Sequence, residues 1–129
     1  MSQEGLQKLI TEAKMPYLAN LQWNEETLGR HFSEKRSPMK NIRTFWAALE
    51  PNVNSPIHNH RLDFMCETHI LVHGSGKFII YDPDGKSARN IQLIKGIPHE
   101  VFSNYIIHPD HQYIAGEEGS ICLAFEYHP

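Results

Sequence analysis

The sequence contains few cysteines and no long apolar run. Two cysteines, Cys66 and Cys122, occur among 129 residues, and their spacing indicates neither a disulfide framework nor a sulfur-rich metal site. No apolar stretch approaches the length that crosses a bilayer, and the N-terminal residues lack the basic and apolar regions of a secretory signal. These absences predict a soluble, cytoplasmic protein with reduced cysteines and no membrane partner.

Clusters of positive charge are also missing. The 12 Lys and Arg residues are outnumbered by 15 Asp and Glu residues, which gives a net charge of −3 and a pI near 6.3. Because nucleic-acid binding needs a basic surface and these cations are scattered along the chain, we expect no nucleic-acid partner. The length suffices for one domain with a hydrophobic core and is short for two, so every motif must share one scaffold.

The N-terminal residues show helical periodicity. Four apolar residues recur at positions i, i+3, i+4 and i+7: Leu6, Leu9, Ile10 and Ala13. This spacing predicts an amphipathic helix over residues 3 to 14, which ends before Pro16. Residues 20 to 40 are polar and mixed, with a weak helical signal after Asn24, whose side chain could cap the segment. We therefore predict a helical arm over residues 1–40 that packs on the remaining domain.

From residue 42 onward the pattern is typical of β-structure. Short apolar or alternating runs are separated by Pro, Gly, Asn and Asp, which predicts strands at residues 42–49, 68–73, 77–81, 89–94, 100–107 and 120–127. The clearest turn is Asp82-Pro83-Asp84-Gly85, where glycine suits a positive φ. Many short strands at this spacing indicate a sandwich or barrel, so we expect residues 41–129 to form one barrel domain.

Two histidines and a glutamate form the most informative motif. If residues 56 to 61 are extended, the imidazoles of His58 and His60 point to the same face, and one metal can bridge them. Glu67 lies just before an apolar run that predicts a second strand, and Gly74 follows after six intervening residues. Such nitrogen and oxygen ligands suit Fe, Mn, Co, Ni or Zn, whereas Ca and Mg prefer oxygen alone. We therefore predict one divalent transition metal as cofactor.

This spacing resembles the first motif of the cupins, and a later histidine before a terminal strand resembles their second motif. The gap between His60 and Glu67 is longer than is usual in cupins. That gap and three other features resemble the WbuC family of cupin-fold metalloproteins: Ala48-Leu49-Glu50-Pro51, Ile57-His58-Asn59-His60-Arg61, and Glu117-Glu118-Gly119-Ser120 before Phe125-Glu126. The resemblance covers roughly residues 40 to 129. It implies an all-β, cupin-like jelly-roll β-barrel with a short N-terminal helical segment.

Carried over residue by residue, the resemblance implies four metal ligands: His58, His60, Glu67 and His111. The last of these departs from the cupin pattern, since Pro109-Asp110 keeps a turn but lacks the usual glycine. His108 and His99 are therefore alternatives for the fourth ligand. His99 would leave too much β sequence after it, whereas His111 leaves a turn and one closing strand, which is what the fold needs.

Other polar residues are interpreted through strand alternation. Alternation from Glu67 and from His111 places His69 and Tyr113 on the ligand face, so both are candidate proton-handling catalytic residues. The alternative for His69 is a hydrogen-bond partner of a ligand, and for Tyr113 an ordinary aromatic that fills the barrel. Arg61 could clamp a phosphate or carboxylate, although a surface position is the commoner outcome for arginine. Three further histidines are interpreted as structural or solvent-facing: His31, His73 and His128.

Three functional hypotheses follow. The first is a metal-dependent enzyme, isomerase- or epimerase-like, that acts on a small polar molecule; the resemblance implies a sugar or nucleotide-sugar derivative in surface-polysaccharide (O-antigen) biosynthesis. The second is an iron-dependent, dioxygenase-type cupin. The third is a non-catalytic module that binds a metal or sugar. The resemblance also implies a homodimer that pairs through an edge strand or the N-terminal arm.

Overall fold

The computed structural model of the protein describes residues 3–59, 66–82, 86–102 and 109–128. Over these residues the chain begins with helix α1 (Gln3–Ala13) and a 3-10 helix (Pro16–Asn20). Eight strands follow within the described ranges: β1 (Trp23–Thr27), β2 (Arg30–Ser33), β3 (Arg36–Met39), β4 (Ile42–Leu49), β5 (Cys66–Tyr81), β6 (Ala88–Gln92), β7 (Pro98–Phe102) and β8 (His111–Tyr127).

All strand pairs are antiparallel, and the main path of the sheet has the order β1-β2-β4-β8-β5-β6. Strand β3 pairs with β4, and β7 pairs with β5. Strands β5 and β8 are long and bent, and each acts as two strands. Residues 66–74 of β5 pair with residues 120–127 of β8, whereas residues 76–80 pair with residues 111–115. The sheet therefore turns back on itself, and its two halves face each other. The predicted all-β class is confirmed.

The described residues form two main hydrophobic clusters, one on each side of the sheet. Between the two halves lie buried residues from β4 to β8, among them Leu49, Leu71, Phe78, Ile80, Val101 and Cys122. On the outer face, α1 buries Leu6, Leu9 and Ile10 against Ala48 and Ile121. The helix thus covers the sheet with the apolar face that its periodicity predicts, and the inner space remains available for a site.

The N-terminal region differs from the predicted helical arm over residues 1–40, because helical structure ends at Asn20 and three strands follow. The weak helical signal after Asn24 does not produce a helix, since that residue lies in strand β1. Gly29, with φ +80°, allows the tight turn between β1 and β2. Strand β2 then alternates and pairs with β4. Pairing and burial in the sheet override a weak local helix preference.

The other predicted strands correspond to observed ones. Strand β4 has the predicted bounds 42–49, and the predicted segments 68–73 and 77–81 are both parts of the single strand β5. Strand β6 contains most of the segment 89–94, and residues 120–127 are the second half of β8. Parts of the segment 100–107 and of the Asp82–Gly85 turn lie outside the described residues. No helix within the described ranges has the length and apolar character of a membrane span.

Gly74 is required where β5 bends. Its φ is +77°, a conformation that L side chains rarely adopt, and the register of β5 against β8 shifts between Gly74 and Gly76. A Cβ at Gly74 would lie 2.0 Å from the carbonyl oxygen of Gly119. The backbones of β5 and β8 therefore approach too closely for any side chain at this position.

Replacing Gly74 by alanine should lower the free energy of unfolding by about 2–4 kcal/mol, because left-handed backbone strain and steric overlap add. The matched control is Gly96→Ala, since Gly96 has φ +81° and its Cβ would meet no described atom within 4 Å. We expect the control to lose about 1–2 kcal/mol from backbone strain alone. Urea unfolding measures both. Equal losses of unfolding free energy in the two variants would show that the close approach at Gly74 adds nothing to the cost of the substitution.

Candidate functional site

A cavity of about 320 Å³ lies between the two halves of the sheet. One part of its wall is apolar, with Phe32, Phe45, Ala47, Leu49 and Phe78. Five of the six site residues predicted from the sequence also line it: His58, Glu67, His69, His111 and Tyr113. The sixth, His60, lies outside the described residues. The fold thus brings residues from several distant segments to one concave site.

His58 and His111 lie side by side. The backbone N–H of His58 donates to the carbonyl of His111 at 3.0 Å, and the N–H of His111 donates to the carbonyl of His58 at 2.8 Å. The centroids of the two imidazole rings are 4.3 Å apart. These two hydrogen bonds align the segment at His58 with the start of β8. His58 and His111 therefore lie next to each other, as the prediction that both bind one metal requires.

Each of the two imidazoles also donates to a nearby backbone carbonyl. The Nδ1 atom of His58 lies 2.8 Å from the carbonyl oxygen of Pro56, and that of His111 lies 3.1 Å from the carbonyl oxygen of Pro109. With the proton on Nδ1, the Nε2 atom of each neutral ring carries the lone pair. Each of these histidines is the third residue of a Pro-x-His pattern. This pattern is the sequence signal that distinguishes His111 from the alternatives His99 and His108.

The alternative histidines are placed differently. His99 lies on β7, opposite His69 in the pairing with β5, and is not among the residues lining the cavity. Its Nε2 atom accepts a hydrogen bond from the backbone N–H of Ile94 at 3.1 Å, so that lone pair is occupied. His108 lies outside the described residues. Among the described histidines of the later segments, the structure therefore brings His111 next to His58.

Glu67 and His69 form a buried pair on β5. The Nε2 atom of His69 donates to Oε1 of Glu67 at 2.8 Å. Burial opposes a charge on the imidazole, but the Glu67 carboxylate and hydrogen bonds to Glu67 and Cys122 outweigh it and raise the pKa of His69 to about 10. His69 is thus an imidazolium at neutral pH, and its charge offsets that of the carboxylate. Both side chains lie on the cavity face of β5, as strand alternation predicts.

Tyr113 lies deeper in the cavity. Its ring packs on Phe78 with centroids 4.8 Å apart, and its hydroxyl lies 3.7 Å from Sγ of Cys122. Burial, with the Cys122 thiol, raises the pKa of the Tyr113 phenol above its usual range. The phenol therefore stays protonated at neutral pH. It can donate a hydrogen bond to a ligand, but it is unsuited to accept a proton as a phenolate.

A second carboxylate, Glu126, faces Glu67 across the β5–β8 pairing and lines the same cavity. Its Oε1 atom lies 2.9 Å from Nη2 of Arg43 and 4.0 Å from Nζ of Lys35. Burial and the nearby Glu67 raise the pKa of Glu126, while Lys35 and Arg43 oppose this shift. Two like charges on paired strands repel each other unless cations compensate them. Here each carboxylate has a cationic partner.

A separate cluster contains Glu25, His31 and Glu50, whose possible ligand atoms all lie within 4.8 Å of one another. His31 is fully buried, and its Nε2 atom lies 2.9 Å from Oε2 of Glu50 and 3.8 Å from Oε2 of Glu25. The Nδ1 atom of His31 is buried and has no hydrogen-bond partner among the described residues. The proton of the neutral ring is therefore placed on Nε2, where it donates to Glu50. No local pattern of residues predicts this cluster.

Comparison with known proteins identifies the fold. No protein-family model and no curated protein sequence matches the chain. Solved structures of oxalate decarboxylases do match: the E162A mutant of the Bacillus subtilis enzyme has a TM-score of 0.66 at 19% identity over 84% of this chain and 28% of that chain. The Lactobacillus farciminis enzyme in complex with formate has a TM-score of 0.64 at 14% identity over 86% of this chain and 31% of that chain.

The chain thus spans less than a third of the length of these enzymes. At such low identity the likeness shows the fold, which is that of the cupins, and the predicted jelly-roll barrel is confirmed. The Bacillus subtilis oxalate decarboxylase has Mn(II) centres. The finer assignment to the WbuC type stays a prediction.

Replacing His31 by alanine should lower the free energy of unfolding by about 1–3 kcal/mol, because Glu25 and Glu50 lose the donor that they share in a buried position. The control is His128→Ala, an exposed residue for which we expect a change within about 0.5 kcal/mol. Urea unfolding of both variants checks this. A His31→Ala variant as stable as the wild type would mean that the cluster contributes nothing to folding.

Proposed function

We propose that the protein is a metal-binding cupin whose cavity holds one divalent transition metal through His58, His60, Glu67 and His111. The observation that carries the proposal is the adjacent pair of imidazoles from His58 and His111, each of which donates Nδ1–H to a backbone carbonyl. A histidine that binds a metal through one ring nitrogen usually donates a hydrogen bond from the other, for example to a backbone carbonyl, and this bond orients the ring. The donor set fits a transition metal, because imidazole and carboxylate suit Fe, Mn, Co, Ni and Zn.

The cavity suits a metal better than the cluster of Glu25, His31 and Glu50. A metal on Nε2 of His31 would move the ring proton to Nδ1, a buried atom without an acceptor among the described residues. An unsatisfied buried donor costs about 1–3 kcal/mol. His58 and His111 carry no such cost, because their Nδ1–H groups already have acceptors. We therefore assign a structural role to the His31 cluster.

The proposed activity is chemistry on a small polar molecule that enters the cavity. A bound metal would polarise a substrate oxygen and stabilise negative charge on it. His69 and Tyr113 line the same cavity, so we assign them hydrogen-bond donation to that oxygen. The apolar wall with Phe32, Phe45 and Phe78 excludes water from the reacting groups.

Cavity size supports a small substrate. A volume of about 320 Å³ is at the lower end of ligand pockets, which fits one sugar ring or a small acid better than an entire nucleotide sugar. We propose a sugar derivative as the substrate. This class, a role in surface-polysaccharide synthesis, a homodimer and a cytoplasmic location are supported by the resemblance to the WbuC family alone. Manganese is a candidate metal because a structural neighbour has Mn(II) centres.

Metal content of matched variants tests the site. We expect near-stoichiometric metal in wild-type protein purified without chelator or affinity-tag metal and measured by elemental mass spectrometry. His58→Ala and His111→Ala should each lower metal affinity at least about 10- to 100-fold. That range is typical for the loss of a residue that only hydrogen-bonds to a metal ligand, and loss of the ligand itself should cost no less. His99→Ala and His31→Ala should retain the metal. No metal in the wild type after reconstitution with Mn, Fe, Ni and Zn would overturn the proposal.

Removal of the metal should also lower stability. A ligand that binds only the folded state stabilises it by about 2.7 kcal/mol when its free concentration is 100 times Kd. We therefore expect a chelator to lower the midpoint of thermal unfolding of the loaded wild type, and readdition of metal to restore it. Scanning calorimetry with the His111→Ala variant as control checks the result. A chelator response of equal size in that variant would contradict a metal at His111.

A further inference from the structure

We propose that Arg30 is the residue of this cavity that binds the anionic group of the substrate, and that this group is a carboxylate. The inference rests on the proposed function, because the same cavity holds the metal. Arg30 belongs to the N-terminal region that the sequence suggested to be a helical arm. The arginine considered from the sequence, Arg61, lies outside the described residues.

Strand alternation directs Arg30 into the cavity. Arg30 and Phe32 both line the cavity, whereas His31, between them, points away and bonds Glu50. Strand β2 pairs with β4, with Arg30 opposite Leu49, another residue of the cavity wall. The guanidinium carbon lies 4.7 Å from the centroid of the Phe32 ring. This stacking holds the planar group against an apolar wall and leaves its N–H edge for a ligand.

The side chain of Arg30 is partly buried, and its charge is weakly compensated. Only 12% of its side-chain surface is exposed, and its one ion pair among the described residues is with Glu26, whose side chain is 45% exposed. The nitrogen–oxygen distance of 3.5 Å is long for a charge-assisted hydrogen bond, for which about 2.7–2.9 Å is usual. A guanidinium has five N–H donors, and a buried charge needs partners for them.

Two other basic side chains near the cavity have closer acidic partners than Arg30 has. Arg43 lies 2.9 Å from the carboxylate of Glu126, and Nε2 of His69 lies 2.8 Å from that of Glu67. Lys35 lies 4.0 Å from Glu126, but 43% of its side chain is exposed, so water can solvate its charge. Burial lowers the pKa of Arg30, and Glu26 and Glu67 oppose that shift. The Glu67 carboxylate is thus close enough to influence the guanidinium. An anion bound by Arg30 would therefore lie near the residues assigned to the metal.

A carboxylate matches this arrangement. The guanidinium fork binds a planar carboxylate through two parallel hydrogen bonds, and a divalent metal adds positive charge that an anionic ligand would offset. The cavity of about 320 Å³ has room for a small acid. We infer a substrate that carries a carboxylate next to a hydroxyl or keto oxygen, so that one end reaches Arg30 and the other reaches the metal.

The test measures binding of glycolate, of its neutral analogue glycolamide and of inorganic phosphate by calorimetry, with metal-free and Mn-loaded protein. We expect Arg30→Gln to weaken glycolate binding about 10- to 100-fold, the effect of losing a hydrogen bond to a charged group. Glycolamide binding should change less than about twofold. Arg30→Lys should recover part of the affinity for glycolate. The control is Arg36→Gln, an exposed residue on β3, which should leave both affinities unchanged.

Metal content and the unfolding midpoint are recorded for every variant. A wild type that takes up no metal on reconstitution but binds glycolate in an Arg30-dependent way would overturn the proposed metal site and support the anion site. Equal glycolate affinity in the wild type and Arg30→Gln, or no glycolate binding in any form, would overturn the role of Arg30. Phosphate binding that depends on Arg30, without glycolate binding, would overturn the assignment of a carboxylate.

Discussion

The pairing of β5 with β8 is the interaction on which the rest of this structure depends. Both strands bend, and each half of one pairs with a half of the other. Strand β4 pairs with β8, while β6 and β7 pair with β5, so most of the sheet is built outward from this pair. The pair also supplies most of the polar cavity wall. The bend allows no side chain at Gly74. The position of the site and the packing of the barrel therefore both depend on the backbone at this residue.

The cavity holds several charges in a largely apolar space, and their arrangement determines what it can bind. Glu67 is paired with His69, and Glu126 is paired with Arg43 and Lys35. Such pairs reduce the cost of burying a carboxylate, because an uncompensated charge is expensive in a medium of low polarity. Of the two cations Arg30 and Lys35 that line the cavity, Arg30 is the less exposed, and its ion pair with Glu26 is long at 3.5 Å. This difference supports the proposal that Arg30 binds an anionic ligand.

Two clusters that both contain histidine and glutamate differ in which ring nitrogen of the histidine carries the proton. His58 and His111 have acceptors for Nδ1–H, so the lone pair of a neutral ring lies on Nε2. His31 has its acceptor on Nε2 instead, in the carboxylate of Glu50. Histidine and glutamate occur in both clusters, so residue type alone does not distinguish the proposed metal site from a hydrogen-bonded structural cluster. The hydrogen-bond partner of the far ring nitrogen does, because it decides which lone pair is available.

The features that depend on local periodicity could be predicted from the sequence. Helix α1 and strand β4 follow from residue spacings of 3.6 and 2 within one segment. The same spacing of 2 puts Glu67 and His69, and likewise His111 and Tyr113, on one face. Three other features appear only in the folded structure: β1 to β3 join the sheet, His111 and not His99 adjoins His58, and Arg30 lines the cavity. These features depend on strand register and on contacts between segments far apart in the chain, and local residue preferences are too weak to specify them.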